Sequence, residues 1–239
     1  MTRHAVLIAV MLALTCPLAA LADDASVGLS LAPLLGRHEE SGLTSQSASI
    51  PIPILQVRGR RGSVELFAEG LPVSLPIDER GSVQSFSTRL TFFDAILRAY
   101  ARDDRFSAGV GTLVYDQTTS YTPSSVIDAS RVAGARYEIG IGLLRDARRL
   151  RLLIDLMPNM QGDVHQHLPA RGSGEVKSVE AGSQVELELQ VLNERGPLRL
   201  EYGARYVNYV TKFTRDGTLA DRNVGLLPFI TFVYRIGRP

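Results

Sequence analysis

The chain has 239 residues, with 26 Lys and Arg against 25 Asp and Glu. That balance advertises no polyanionic partner, and nucleic acid is excluded as a ligand class. The single cysteine, Cys16, falls in the N-terminal apolar run, so residues 23–239 have no thiol for catalysis, disulfides or Cys-ligated zinc.

Residues 1–22 read as a secretory signal peptide. Arg3 and His4 precede an apolar run from 5 to 14, and Ala20-Leu21-Ala22 supplies the small-x-small cleavage pattern before Asp23. The run is shorter than the roughly 18 apolar residues of a spanning helix. Removing Arg3 with this segment leaves the charges of 23–239 balanced. No later segment is long and apolar enough for a membrane helix, so membrane insertion of this single domain requires a closed barrel.

About ten strands are predicted along 23–239. The first covers 26–35 and is followed by a polar loop, 36–49. The second, 50–57, turns at Arg58-Gly59-Arg60-Arg61-Gly62 into the third, 63–71. A Pro-rich connection, 72–82, leads to the fourth, 83–101; a tight turn at Arg102-Asp103-Asp104 starts the fifth, 105–118. After a Ser/Thr/Pro loop, 119–130, come the sixth (132–144), a short turn, and the seventh (150–157). The longest connection, 158–181, precedes the eighth, which continues through the Asn193-Glu194-Arg195-Gly196-Pro197 turn into the ninth, ending near 213. The tenth is 226–236. Long and short connections alternate, the layout of an outer-membrane barrel with short periplasmic turns, long extracellular loops and both termini in the periplasm.

Two segments depart from simple alternation. Phe92, Phe93, Ile96, Leu97 and Tyr100 would share one face of a helix. The tight turn that follows and the matching fifth segment favour a strand, with a bulge near Phe93 and Asp94 restoring the period of two. Pro51 and Pro53 cannot donate to a ladder, so regular pairing of the second strand is expected from about Ile54.

The cleanest alternation is in 185–191, where Val185, Leu187, Leu189 and Val191 oppose Glu186, Glu188 and Gln190. Elsewhere too the polar face mixes Arg with Asp and Glu, and it carries Gly109, Gly111, Gly140 and Gly142 at strand centres. A glycine weakens a strand unless something packs close; in a narrow barrel these would leave room for long Arg and Glu side chains. The apolar face is therefore assigned to lipid and the ionic face to the lumen. The inward set is Arg89, Arg98, Arg136, Arg151, Arg199 and Arg205, facing Glu65, Glu69, Asp94, Glu138, Asp155, Glu186, Glu188 and Glu201. With no Trp, an aromatic girdle would rest on Phe86, Phe92, Tyr137, Tyr202, Tyr206, Phe232 and Tyr234.

In the last strand Ile230, Phe232, Tyr234 and Ile236 fall on one face. It resembles the terminal strand by which outer-membrane barrels are recognised, which implies the barrel-assembly machinery as a partner. The usual aromatic end is replaced here by Gly237-Arg238-Pro239. Some forty residues near the start, with Ile50-Pro51-Ile52-Pro53, a short turn and then Val64 to Gly70, resemble the MipA/OmpV family, outer-membrane barrels linked to scaffolding of cell-wall enzymes. No functional residue follows from that resemblance.

The inward charges fit either a constriction selecting ions in a pore or paired filling of a small lumen. Ten strands enclose much less space than the 16 to 18 that leave an aqueous channel, which favours filling. His38 with Glu39 and Glu40, and Asp163 with His165 and His167, are the residues from which a metal site would be built; such residues in loops are ordinarily solvated surface, and no metal or cofactor is expected. No G-x-S-x-G or comparable nucleophile context occurs and no histidine falls in a predicted strand, so the chain is read as non-enzymatic.

The sequence therefore predicts an all-β, ten-stranded, antiparallel up-and-down transmembrane barrel over 23–239, in the outer membrane of a Gram-negative bacterium. Its partners are membrane lipid and an envelope protein met through the long loops. A narrow channel for small solutes or ions is the second reading. The third, produced by inverted parity, is a soluble periplasmic barrel binding an apolar ligand.

Overall fold

The computed structural model describes residues 22–40, 43–71, 75–81, 85–122, 127–145, 148–168, 172–191, 197–213 and 219–236. Residues 1–21, all but the last of the segment 1–22 expected as a signal peptide, the expected turn residues 192–196 and the C-terminal 237–239 lie outside the described residues.

Thirteen strands form one antiparallel sheet: β1 (Asp24–Ala32), β2 (Leu35–Glu40), β3 (Leu43–Ala48), β4 (Ile52–Arg61), β5 (Val64–Gly70), β6 (Leu75–Gly81), β7 (Ser85–Ala101), β8 (Phe106–Thr122), β9 (Ile127–Arg145), β10 (Arg148–Leu168), β11 (Gly172–Val191), β12 (Leu198–Phe213) and β13 (Leu219–Ile236). The sheet closes on itself, because β1 pairs with β13 from Ala25↔Ile236 to Leu31↔Ile230. β1 with β2, β3 with β4, and β5 with β6 are each one stave interrupted part-way, so the barrel has ten staves. Closure removes the edge strands that would otherwise present unpaired backbone.

Two of the interruptions fall at prolines, Pro33 in the first stave and Pro51 in the second, where a ladder N–H is missing. Their ends are still tied: the Ser49 N–H donates to the Leu34 carbonyl at 3.0 Å, and the Leu34 N–H donates to Ser49 Oγ at 2.9 Å. Pairing of β4 begins at Ile52, with Ala32, two residues earlier than Pro53 would permit in an interior ladder.

The long connections are largely strand themselves. β10 continues to Leu168 and β11 starts at Gly172, with pairs as far out as Leu168↔Gly172, so most of 158–181 is a paired hairpin. β2 and β3 likewise pair from Leu35↔Ala48 to Glu40↔Leu43 within the segment expected as the first loop. A membrane crossing uses about 9–11 tilted residues, whereas β10 has 21 and β11 has 20. The surplus projects as hairpins beyond the bilayer. These ends have no lipid on one side and no packed lumen on the other, so the apolar alternation that marks a strand in sequence is lost there while the backbone bonds are kept.

Pro158 does not end its strand. The register of β10 shifts between Met157 and Met160 against β11 and between Leu156 and Met160 against β9. This bulge exposes Pro158 and Asn159 and turns both Met157 and Met160 inward.

No bulge occurs in β7, which pairs with β8 without interruption from Ser85↔Thr122 to Ala101↔Phe106. One parity therefore runs its whole length. Phe92, Asp94, Ile96, Arg98 and Tyr100 face inward, and Arg89 is exposed on the opposite side. This corrects the placement of Arg89 in the lumen and of Phe92 in the girdle. Arg89 pairs across from Thr118, close to the outward Asp116–Arg131 ion pair, and so belongs to a polar band above the apolar one.

The apolar band is continuous around the barrel. On β9 alone Tyr137, Ile139, Ile141 and Leu143 are exposed, and Leu152, Leu156, Val185, Leu187, Tyr202, Tyr206, Phe232 and Tyr234 continue it. Buried charges lie on the other face. A soluble barrel with an apolar interior has the opposite parity, so that reading is overturned.

Candidate functional site

The lumen is filled on its periplasmic side by six arginines and eight carboxylates, all of them at most slightly exposed, with Arg60, Arg149 and Asp104 closing the mouth below them. Each projects from an inward position of a strand, since alternate residues on one stave point the same way. Three layers follow one another up the axis.

At the periplasmic mouth, Asp104 in the turn after β7 accepts from Arg60 Nη1 at 2.6 Å, Arg60 Nη2 at 2.7 Å and Arg149 Nη2 at 3.0 Å. The hydrogen bonds from Arg60, and then the charges of Arg60 and Arg149, hold the Asp104 carboxyl below its usual range. These contacts fold the turn over the mouth even though Arg102, Asp103 and Asp104 all have positive φ, a left-handed conformation that non-glycine residues rarely adopt. Gly142 admits the turn, because a Cβ there would lie 2.7 Å from the Asp104 carbonyl oxygen.

In the next layer Arg58 makes two bonds to Glu201, at 3.0 and 2.8 Å, and Arg199 Nε lies 3.1 Å from the same carboxylate. Arg151 donates to Glu188 at 2.8 Å and to the Tyr100 hydroxyl at 3.0 Å, which in turn donates to Glu65. The Phe67 ring lies against two guanidinium groups, Arg58 at 5.0 Å and Arg98 at 4.7 Å from its centroid, a cation–π arrangement.

In the third layer Arg98 grips Glu138 through two bonds, at 2.5 and 2.7 Å, and reaches Glu65 at 2.9 Å. Arg136 pairs with Asp94 and with Asp155, the latter at 2.8 Å. Arg205 spans Glu69 at 2.6 Å and Glu186 at 2.8 Å. Gln56 and Gln184 complete the layer by donating to Glu69 and Asp155.

Of the inward residues expected from sequence, Arg98, Arg136, Glu138, Arg151, Asp155, Glu186, Glu188, Arg199, Glu201 and Arg205 come together in this network, and Arg89 does not. Arg58 was missed because Arg58-Gly59-Arg60-Arg61-Gly62 reads as a turn. Its parity with Ile52, Ile54 and Gln56 was the available signal, and the turn itself is only Gly62 and Ser63. The strand-centre glycines serve a different purpose from the one expected. A Cβ at Gly109 would press on the Ile96 side chain, one at Gly140 on Leu153 and Ser107, and one at Gly111 on the backbone of Ala95 and Ile96, so these glycines admit close neighbours on adjoining staves rather than the long charged side chains.

His38 lies on β2, and His165 and His167 lie on β10. Three staves, β13, β12 and β11, separate β2 from β10 in the sheet, so the backbone does not bring these histidines onto neighbouring staves.

Directly outside the ionic layers is a cavity of about 220 Å³. Its walls are apolar, with Leu34, Ile52, Leu71, Leu113, Met157 and Leu227 among them, and its floor is Glu69, Asp94, Arg136, Gln184 and Arg205. Arg37, Gln117 and Asn223 form a polar rim.

A closed ten-stave barrel with charges inside and a lipid-width apolar band outside decides the class. The chain is an outer-membrane β-barrel. The outer membrane protease OmpT from Escherichia coli shares this fold, with a TM-score of 0.53 at 10% identity over 90% of this chain and 97% of that one. The translocator domain of the autotransporter NalP from Neisseria meningitidis aligns with a TM-score of 0.45 at 13% identity, covering 97% of this chain and 96% of that domain. No family model and no curated protein sequence matches the chain. The barrel is therefore placed in the outer membrane of Gram-negative bacteria, with its apolar band in contact with lipid.

Proposed function

We propose that the protein is a non-conducting barrel that works through its outer face. The observation that carries this reading is the bonding of Arg58, Arg98, Arg136, Arg151 and Arg205 to carboxylates on other staves, which fills the lumen cross-section. Ions permeate where charges line a pore and leave water between them; here opposite charges are in contact. In this reading the projecting hairpins β2/β3, β8/β9 and β10/β11 present the surface that meets an envelope partner. The resemblance of the Ile50 to Gly70 region to the MipA/OmpV family agrees with an interaction role. Export through residues 1–22 and assembly through the C-terminal strand β13 belong to the same proposal. We propose no reaction for the barrel: the lumen carboxylates engage arginines.

Planar-bilayer recording on heat-modifiable, detergent-purified protein tests the proposal. The expected result is no resolvable conductance steps. Steady steps whose size changes in Arg136→Ala or Glu186→Ala would establish a narrow channel instead.

A further inference from the structure

The cavity above the ionic layers is lined by rings from opposite walls. Phe92 on β7 and Tyr209 on β12 stand on staves five apart in a ring of ten, and Tyr115 on β8 joins them. All three pack against the cluster of Leu113, Val132, Met157 and Met160, and the Tyr209 hydroxyl donates to Met157 Sδ at 3.8 Å, which anchors its ring in the wall. Flat π-surfaces and a polarisable sulfur are favourable neighbours for a further ring. The cavity measures about 220 Å³, and an engineered protein cavity of about 150 Å³ holds benzene. By proportion this one takes a molecule of about nine non-hydrogen atoms, the size of two fused rings.

The floor indicates the charge of the occupant. Arg136 pairs with Asp94 and Asp155, and Arg205 with Glu69 and Glu186, so each ionic side chain of the floor already holds an opposite charge. An ion lowered onto this floor has to break one of those pairs or enter an apolar space without a partner, and both are costly. Arg37 at the rim is exposed to solvent. A neutral molecule leaves every pair intact and gains from the apolar walls.

We propose that this cavity binds a neutral aromatic molecule of two fused rings, held between Phe92 and Tyr209 and against Leu113 and Met157. The inference rests on the reading that the ionic layers close the barrel below, since they are the cavity floor. It concerns a binding site within the lumen and is separate from the partner surface of the hairpins.

The full-length barrel in nanodiscs would be titrated calorimetrically, with protein-free nanodiscs as the blank. The probes are four compounds of one size: indole as the neutral fused ring, 1-octanol as a neutral chain, benzoate as an anion and phenethylammonium as a cation. Indole should bind saturably at one site, and the other three about tenfold or more weakly. Octanol is disfavoured because a flexible chain loses more freedom on binding, and the ions because they lose water without gaining a partner. Phe92→Leu combined with Tyr209→Leu should remove the preference for indole over octanol. Val207→Trp on β12 and Leu90→Trp on β7 add bulk to the cavity from opposite walls at half-buried positions, and each should weaken indole binding about tenfold or more. Absence of saturable indole binding overturns the proposal, as does undiminished binding to either Trp variant that folds. Benzoate or phenethylammonium binding as tightly as indole overturns the assignment to a neutral ligand, and octanol doing so overturns the assignment to rings. A conducting barrel that binds indole refutes the closed-lumen reading alone, and a silent barrel that binds nothing refutes this inference alone.

Discussion

Arg58 on β4 and Glu201 on β12 are 143 positions apart in the chain and meet inside the barrel through two parallel bonds at 3.0 and 2.8 Å. Two staves, β1 and β13, separate them along the wall, so the pair exists only because the sheet closes between β1 and β13. Removing one partner leaves the other as a buried charge, which typically destabilises by about 3–5 kcal/mol. Arg58→Ala should therefore lower the urea midpoint of the detergent-refolded barrel substantially. Arg58→Met combined with Glu201→Gln should recover most of the loss. An unchanged midpoint for Arg58→Ala would show that the pair contributes nothing net.

The outward face makes an independent prediction. Leu187 is 50% exposed in the apolar band, and arginine at a bilayer midplane is unfavourable by about 2–4 kcal/mol. Leu187→Arg should fold poorly into lipid vesicles, whereas Arg89→Leu, above the band, should fold as the parent does. Band shift on unheated gels measures both, and normal folding of Leu187→Arg would mean that this face does not meet lipid.

Acid should loosen the periplasmic mouth. The carboxyl of Asp104 titrates lower in the folded barrel than in the unfolded chain, so the clasp by Arg60 and Arg149 contributes its full stability above the unfolded value of about 3.9. That contribution is lost as pH falls from there through the lower folded value. Asp104→Asn should flatten the stability profile in this acid window and leave the slope at neutral pH unchanged. Hydrogen exchange of residues 102–105 followed from pH 5 downward provides the measurement.

Gly111 tests how tightly the lumen wall is packed. A Cβ at this position would collide with the Ala95 carbonyl oxygen and lie 2.8 Å from the Ile96 Cα, both of them backbone atoms with little freedom to move. Gly111→Ala should destabilise by about 1–3 kcal/mol, the usual range for overpacking. Gly62→Ala should act through strain alone, because its φ is +57° and no atom lies within 4 Å of the added Cβ. Denaturant midpoints of the two variants compare the effects.

The barrel class was legible in sequence because lipid and lumen impose opposite chemistry on alternate residues. Val185 to Leu189, Tyr137 to Leu143 and Ile230 to Tyr234 announce their faces in linear order, and the positions of Glu186, Glu188, Arg136 and Glu138 inside follow from the same period of two. Where neither environment acts, the pattern fades. The outer ends of β10 and β11 are regular strand paired by backbone bonds, and no alternation marks them.

Other features were decided by tertiary structure. Whether β7 bulges depends on its ladder to β8, and that ladder, which is continuous, puts Arg89 outside and Phe92 in the cavity wall. Whether Pro158 ends a strand depends on neighbours able to absorb an extra residue, as β9 and β11 do. Partner choice in the lumen is likewise three-dimensional. The sequence by itself determined that arginines and carboxylates face inward, because burial and period act locally. Only closure of the barrel decided that Arg58 meets Glu201 and Arg205 meets Glu69, and that the charges end below an apolar cavity, since those contacts join staves distant in the chain.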